Sequence, residues 1–326
     1  MRFLILGGGS IGKRHIKNLQ LLGYSDIFCL KRKKDQDFEN RMGVQTITSI
    51  SELGSLKVDA VFVCTPTSLH LSGMEIAQKL DAAIFMEKPL VPTKENLQNA
   101  KKNLLEHNKV FFIGFMIRYH PLVKKIKEII DSNILGNVYC ARLEFGSYLP
   151  FWHPWEDHKT GYAALKNLGG GVINTITHEL DLIQYFFGIP QSVICDSKNL
   201  KKLGIEVEEI AEAIFGFDDK MVTLHLDYLQ KEYDRRIKIL CDEGKIIWNW
   251  HDNKVVVKKY KENEVEYPAP NEFDVNQLYI DELKDFIDII QNQDLEHPLN
   301  LNHAISNTEL FLDMHTSAST GQKVMV

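Results

Sequence analysis

The sequence predicts an α/β fold: a doubly wound parallel sheet over residues 1–119, then a second domain over 120–326 built on an antiparallel sheet. Three observations carry this. A glycine loop stands between a short apolar run and a helical pattern at the N-terminus. Wholly apolar strands alternate with amphipathic helices through the first third, the pattern of a sheet buried on both faces. After about residue 120 strand patterns follow one another without helices between, which favours antiparallel pairing.

Met1–Leu6 is the first apolar run. Gly7-Gly8-Gly9-Ser10-Ile11-Gly12 follows, then a helical pattern through Ile16, Leu19 and Leu22 that Gly23 stops. Gly7, Gly9 and Gly12 match G-x-G-x-x-G in its strand–loop–helix setting. Gly7 permits a tight turn, Gly9 lets backbone N–H groups approach a pyrophosphate, and Gly12 lets the helix lie close to the strand. The helix N-terminus at Ser10 and Ile11 turns its partial positive charge toward the phosphates. The plain alternative is a glycine-rich turn. The second strand, Asp26–Leu30, runs into Lys31-Arg32-Lys33-Lys34, where an NAD site usually carries an acid. Lys31 and Arg32 suit a 2′-phosphate, so NADP is the expected cofactor and NAD the alternative; a solvated basic loop is the plain reading.

Ala60–Cys64, Ala83–Met86 and Val110–Phe115 are further apolar strands, with helices predicted over Ser68–Lys79 and Thr93–Glu106. Ligands of such sheets lie beyond the carboxyl ends of the strands. Thr65-Pro66 and Glu87-Lys88-Pro89 fall there, and Arg118 a little further on. Later come a helix over His120–Ile130, a strand over Asn137–Ser147 and a helix from Val172 to Phe187. A hairpin pairs Ile210–Phe217 with Met221–Tyr228, and strands follow at Arg236–Cys241, Ile246–Trp250 and Lys254–Tyr260. Two helices, one with an apolar face from Tyr279 to Ile290 and one over Leu301–Ala318, close the second domain and are expected to pack back on the core.

With 326 residues, 44% of them hydrophobic, the chain buries a sizeable core in two domains. The net charge of −6 is mixed along the chain, so nucleic acid is not an expected partner. No apolar stretch reaches 18 residues and the N-terminus enters a strand directly, so neither a membrane nor a signal peptide is expected. The five cysteines lack C-x-x-C spacing, which fits a reduced cytoplasmic protein.

Lys88 is the first candidate for chemistry. A lysine ending a buried strand is costly unless paired or used, and beside a substrate oxygen it stabilises charge developing during hydride transfer. Pro89 restricts it to an extended conformation; a salt bridge with Glu87 is the bland role. His178 stands four residues after Asn174 and three before Asp181, expected on one helical face. It reads as a general acid/base or as a core histidine bonded to Asp181. Trp152, His153 and Tyr162 belong to an aromatic loop suited to sugar rings, and His153 or Lys166 to a carboxylate or phosphate; a packing or dimer arm is the alternative. Arg118 is read as a substrate contact or as a brace. His153, His158 and His178 match no metal signature, and no metal is expected.

Gly7-x-Gly9-x-x-Gly12, Thr65-Pro66 with His70, Glu87-Lys88-Pro89 and the glycine run leading to His178 resemble, in this order, the Gfo/Idh/MocA oxidoreductases across essentially the whole chain. The segment Tyr148–Asp157 looks like a subset among bacterial surface-polysaccharide and nonulosonic sugar genes. The resemblance implies a Rossmann domain and an α+β domain with an open, mostly antiparallel sheet whose face builds homodimers or homotetramers. It implies hydride passing between nicotinamide and a hydroxyl or keto carbon of a sugar or nucleotide sugar. Thr65, Pro66, His70, Glu87 and Lys88 then join the cofactor site, and Asn174, Thr175 and His178 the substrate site. Many members carry an aspartate three or four residues before this histidine; Thr175 and Asn174 stand there, which moves weight to Lys88 and His178. Two other readings compete: a non-catalytic dinucleotide sensor or scaffold, and an elimination or hydrolysis enzyme that uses held NAD transiently.

Overall fold

Strands and helices alternate first: β1 (Phe3–Leu6), α1 (Ser10–Leu21), β2 (Ile27–Leu30), α2 (Gln36–Met42), β3 (Gln45–Ile47), β4 (Ala60–Val63), α3 (His70–Lys79), β5 (Ala83–Glu87), α4 (Lys94–Leu104) and β6 (Phe111–Gly114). Then follow α5 (Pro121–Asp131), β7 (Val138–Gly146), α6 (Val172–Thr175), α7 (His178–Phe187), β8 (Ser192–Lys198), β9 (Ile210–Gly216) and β10 (Met221–Asp227). The strands β11 (Asp234–Cys241), β12 (Gly244–Asn249), β13 (Lys254–Lys259) and β14 (Val265–Pro268) precede two long helices, α8 (Val275–Asn292) and α9 (Leu301–Thr320), and a last strand β15 (Val324–Met325). The structure, a computed structural model, describes residues 1–104, 107–270 and 273–326. The last two residues of the helix predicted over Thr93–Glu106 lie outside these described residues.

The chain forms two compact units. One comprises Met1–Met116 with Asp274–Ile305, the other Ile117–Phe273 with Ser306–Val326. Residues 274–305 were expected in the second domain and belong to the first. The reason is packing: Phe286 of α8 meets the rings of Phe62, Phe85 and Phe112 at 5.5, 5.2 and 5.5 Å, and paired amides of Asn18 and Asn276 tie α8 to α1. Each large apolar side chain buried this way contributes about 1.5–3 kcal/mol.

The first unit's sheet is parallel throughout, in the order β3-β2-β1-β4-β5-β6. β1, β4 and β6 are buried along their whole length, as continuous apolar runs require. The order reverses between β1 and β4, which opens a crevice beyond their carboxyl ends. Leu299 and His297 meet β6, Ile113 N–H donating to the Leu299 carbonyl at 3.0 Å and His297 Nε2 lying 2.9 Å from the Phe111 carbonyl. They cover an edge that would otherwise be open.

The second unit's sheet has nine strands, β14-β13-β12-β11-β7-β10-β9-β8-β15, antiparallel except where β7 pairs with β10. The predicted hairpin is β9–β10, with Met221 opposite Gly216. Burial alternates along β9 and β11, the mark of a sheet with one covered face. The short strands β3, β8, β14 and β15 and the helix α2 have no counterpart in the sequence reading. They are brief or polar, so periodicity barely marks them.

The helix expected over Val172–Phe187 is broken. Ile176 leaves helical geometry at φ −104°, ψ 52°, separating α6 from α7. Tertiary hydrogen bonds favour the break. Thr175 Oγ1 donates to the Gly171 carbonyl at 2.6 Å, and the buried Tyr228 hydroxyl lies 2.8 Å from that carbonyl and 2.6 Å from Thr175 Oγ1.

Candidate active site

In the first unit the site is shaped by missing side chains. Gly7 has φ +100°, and a Cβ there would stand 2.8 Å from the Cys64 carbonyl oxygen. A Cβ on Gly12 would lie 2.0 Å from the Gly7 oxygen, so α1 approaches β1 only without one. Gly9 differs: a Cβ there meets nothing within 4 Å. Gly9 is the N-cap of α1 and offers no side-chain acceptor to the first turn, whose N–H groups and dipole favour an anion. Across the crevice, Thr65 Oγ1 is buried with no partner among the described residues. An open approach over Gly9, an uncapped twelve-residue helix and an orphaned hydroxyl at the strand-order reversal fit a dinucleotide pyrophosphate.

Around this crest, Lys31 pairs with Asp35 at 2.6 Å and lies 4.1 Å from the Phe38 ring centroid. Asp35, held low first by that lysine, also caps α2 by accepting from Phe38 N–H. Arg32 is exposed. His70 is 1% exposed, with Nδ1 at 2.8 Å from the Pro89 carbonyl and Nε2 at 3.0 Å from that of Thr65. It holds the turn after β4 against the turn after β5. Burial keeps its pKa low. Lys88 follows β5, half-buried, and its bond to Pro89 is cis. Glu87 Oε1 lies 2.7 Å from Nε2 of the fully buried His15. Sequence reasoning missed His15, which sits on the buried face of α1 with Gly12, Ile16 and Leu19.

In the second unit several polar groups are buried in pairs. Arg118 gives Asp181 two hydrogen bonds, Nε to Oδ2 at 2.8 Å and Nη2 to Oδ1 at 2.7 Å, and lies over the Tyr185 ring. Arg118 and Asp181 thus hold one another inside this unit. Next to His178, Glu179 is bonded by Arg235 Nε at 2.6 Å, with both side chains buried. His178 is the first residue of α7, and the break at Ile176 removes the helical face it was expected to share with Asn174. Asn174 instead accepts from His315 of α9 at 2.7 Å, a residue the sequence reading did not single out. Glu208, whose Oε1 accepts from Ile173 N–H at 3.2 Å, is pushed up to about 7 by burial; it too was missed.

The aromatic loop folds on itself. Trp152 Nε1 donates to Ser147 Oγ at 2.9 Å and its ring meets Tyr228 edge-on. His153 pairs with Glu156 at 2.6 Å and stacks on Trp155, while His158 Nε2 lies 3.0 Å from the Leu203 carbonyl. With Tyr162 they line a hollow of about 60 Å³. Lys166 is exposed, its backbone N–H on Glu206.

Residues 1–115 match an oxidoreductase family with an NAD-binding Rossmann fold, and residues 123–247 match the GFO/IDH/MocA C-terminal domain. The chain belongs to the GFO/IDH/MocA family. Among its relatives, a myo-inositol 2-dehydrogenase of Thermotoga maritima is 23% identical over 76% of this chain and 74% of its own length. A 2,7-anhydro-N-acetylneuraminate hydratase of Mediterraneibacter gnavus is 25% identical over 79% of this chain and 65% of its own length. Matches to curated relatives cover from 22% to 74% of those proteins. In architecture, a levoglucosan dehydrogenase solved with NADH and levoglucosan superposes with a TM-score of 0.87 at 18% identity, covering 100% of this chain and 99% of that one. The fold of this GFO/IDH/MocA member is therefore shared well beyond the reach of its sequence identity. None of its described helices is long and apolar enough to cross a membrane.

Proposed function

We propose that this protein is an NAD(P)-dependent sugar oxidoreductase, acting on a hydroxyl or keto carbon of a sugar or nucleotide sugar, with NADP the preferred cofactor. The observation that carries the reading is the crest of the first unit: open space over Gly9, the uncapped start of α1, and the partnerless Thr65 hydroxyl. A bound nicotinamide would supply the hydride acceptor or donor. The protein's own groups do the rest. The first turn of α1 holds the pyrophosphate. Arg32, exposed beside the Lys31–Asp35 pair, meets the 2′-phosphate. Lys88 hydrogen-bonds the reacting oxygen and stabilises charge developing on it. His178 exchanges that oxygen's proton.

The sheet of the second unit exposes Tyr139, Ile194, Ile214, Met221 and Leu240, which supports a homo-oligomer built through its face. Replacement of Lys88 by Met is expected to lower turnover by about 10²–10⁴-fold while nicotinamide fluorescence titrations show unchanged cofactor binding. Undiminished turnover removes Lys88 from the chemistry. Failure of both NADPH and NADH to bind the wild-type protein removes the whole reading, and tighter binding of NADH reverses the cofactor assignment. The hydratase relative supports a second reading, in which held cofactor is used transiently; its sign is product formed without net change in nicotinamide absorbance.

A further inference from the structure

Asn174 is, with Thr175, one of the two places where the resemblance to the family leads one to expect an aspartate, and its surroundings show what stands there instead. Its amide is buried, with Nδ2 at 3.3 Å from the carbonyls of both Gly169 and Gly170. Carbonyls only accept, so that end of the side chain must be the NH2 group, and the amide cannot be flipped. Oδ1 therefore faces Nε2 of His315 at 2.7 Å. An amide oxygen only accepts, so the imidazole must carry its proton on Nε2. Nδ1 is left with a lone pair; it enters none of the hydrogen bonds given for the described residues and is not among their fully buried unpartnered atoms, so it stands open to a partner from outside. The ring is half-buried and its far face meets Phe311 edge-on. Burial first, and the charge of Lys166 second, hold it neutral down to about pH 4. An aspartate at 174 would set carboxylate oxygen against the two glycine carbonyls, so this backbone selects the amide.

We propose that the Asn174–His315 pair replaces the absent carboxylate as the group that receives a sugar hydroxyl, with His315 Nδ1 as the accepting atom. The proposal rests on the sugar oxidoreductase reading. Asn174 is the positioning residue: it fixes the ring's tautomer and orientation, as second partners of histidines generally do. A neutral nitrogen acceptor binds a hydroxyl without demanding its proton, which leaves proton exchange to His178.

The first test is ¹⁵N NMR of the full-length protein labelled on its histidine rings, with His315→Gln used to assign the signal. The expected spectrum shows an Nε2–H tautomer that does not titrate between pH 5.5 and 8, and that is lost in Asn174→Ala. A ring titrating near its ordinary pKa, or an Nδ1–H tautomer, overturns the proposal. The second test uses myo-inositol and levoglucosan as probe substrates. His315→Phe is expected to raise KM roughly tenfold, with cofactor binding unchanged and partial rescue in His315→Gln, whose amide can both donate to Asn174 and accept. Unchanged KM in His315→Phe overturns the proposal and leaves the oxidoreductase reading intact. Loss of NADH and NADPH binding by the wild-type protein sinks that reading instead, whatever the ring does. Should neither probe turn over, the tautomer decides alone.

Discussion

In the parallel unit the proposed cofactor site is made by leaving side chains out, whereas the polar interior of the nine-stranded unit is made by drawing them in. Gly7 and Gly12 let strand, loop and helix press together, and the space over Gly9 leaves the start of α1 open. Arg118 with Asp181, Glu179 with Arg235 and Asn174 with His315 instead bring charged and polar groups from distant segments into a shared interior. The two designs fail differently. Backbone recognition is intolerant of added bulk but nearly indifferent to charge. A buried polar network tolerates little loss of any partner, because each one satisfies another.

Gly12→Ala provides the harshest probe of the first design. Its Cβ would sit 2.0 Å from a main-chain oxygen that cannot swing aside, and a loss above about 4 kcal/mol is expected in urea unfolding. A loss below about 1 kcal/mol would show that α1 is not pressed on the loop as described. Asp181→Ala probes the second. It takes a bidentate carboxylate from the buried Arg118 guanidinium and should cost about 3–5 kcal/mol; an effect near zero would mean that the pair is solvated.

Acid sharpens the comparison. Burial, with Arg235 adding to it, pushes His120 down to about 3 in the folded protein. Its folded pKa lies below the unfolded value, so its stabilising contribution is full above about pH 6.5 and is lost as pH falls toward 3. Between pH 6.5 and 5 this amounts to about 2 kcal/mol. Glu208 runs the other way: its folded pKa, about 7, is raised, so its share is full below the unfolded carboxyl pKa and is lost as pH rises through 7. His120→Asn keeps a cap for the Leu122 N–H, and urea curves at both pH values should show a smaller acid loss than the wild type. Equal losses would acquit His120. The smallest expected effect on stability is Gly9→Ala, within about 0.5 kcal/mol, because its Cβ meets nothing. NADPH or NADH affinity should nonetheless fall about tenfold or more. Stability and affinity falling together would place Gly9 in the packing rather than the phosphate site.

The same contrast explains what could be read from the chain alone. The crest was legible because its glycines are contiguous and sit between an apolar strand and a helix. His15 was not, since a histidine among Gly12, Ile16 and Leu19 reads as one more core position. The polar network was hidden for another reason: 63 residues separate Arg118 from Asp181, and 141 separate Asn174 from His315. Spacing rules reach three or four positions along a helix, and here the helix itself breaks at Ile176 under hydrogen bonds contributed by Tyr228. The placing of α8 escaped for the same cause, since its apolar face names no partner.

That placing of α8 has a consequence for the order in which the protein is made. Phe62, Phe85 and Phe112 are synthesised early, yet the ring that packs on them, Phe286, comes about 170 residues after β6 ends. At ribosomal speeds of roughly 5–20 residues per second, the gap lasts about 9–34 s. Through that interval the nascent parallel sheet keeps an aromatic face uncovered, a surface of the kind that chaperones hold. The N-terminal third is thus a dinucleotide-binding sequence that cannot finish folding until nearly the whole chain has been translated.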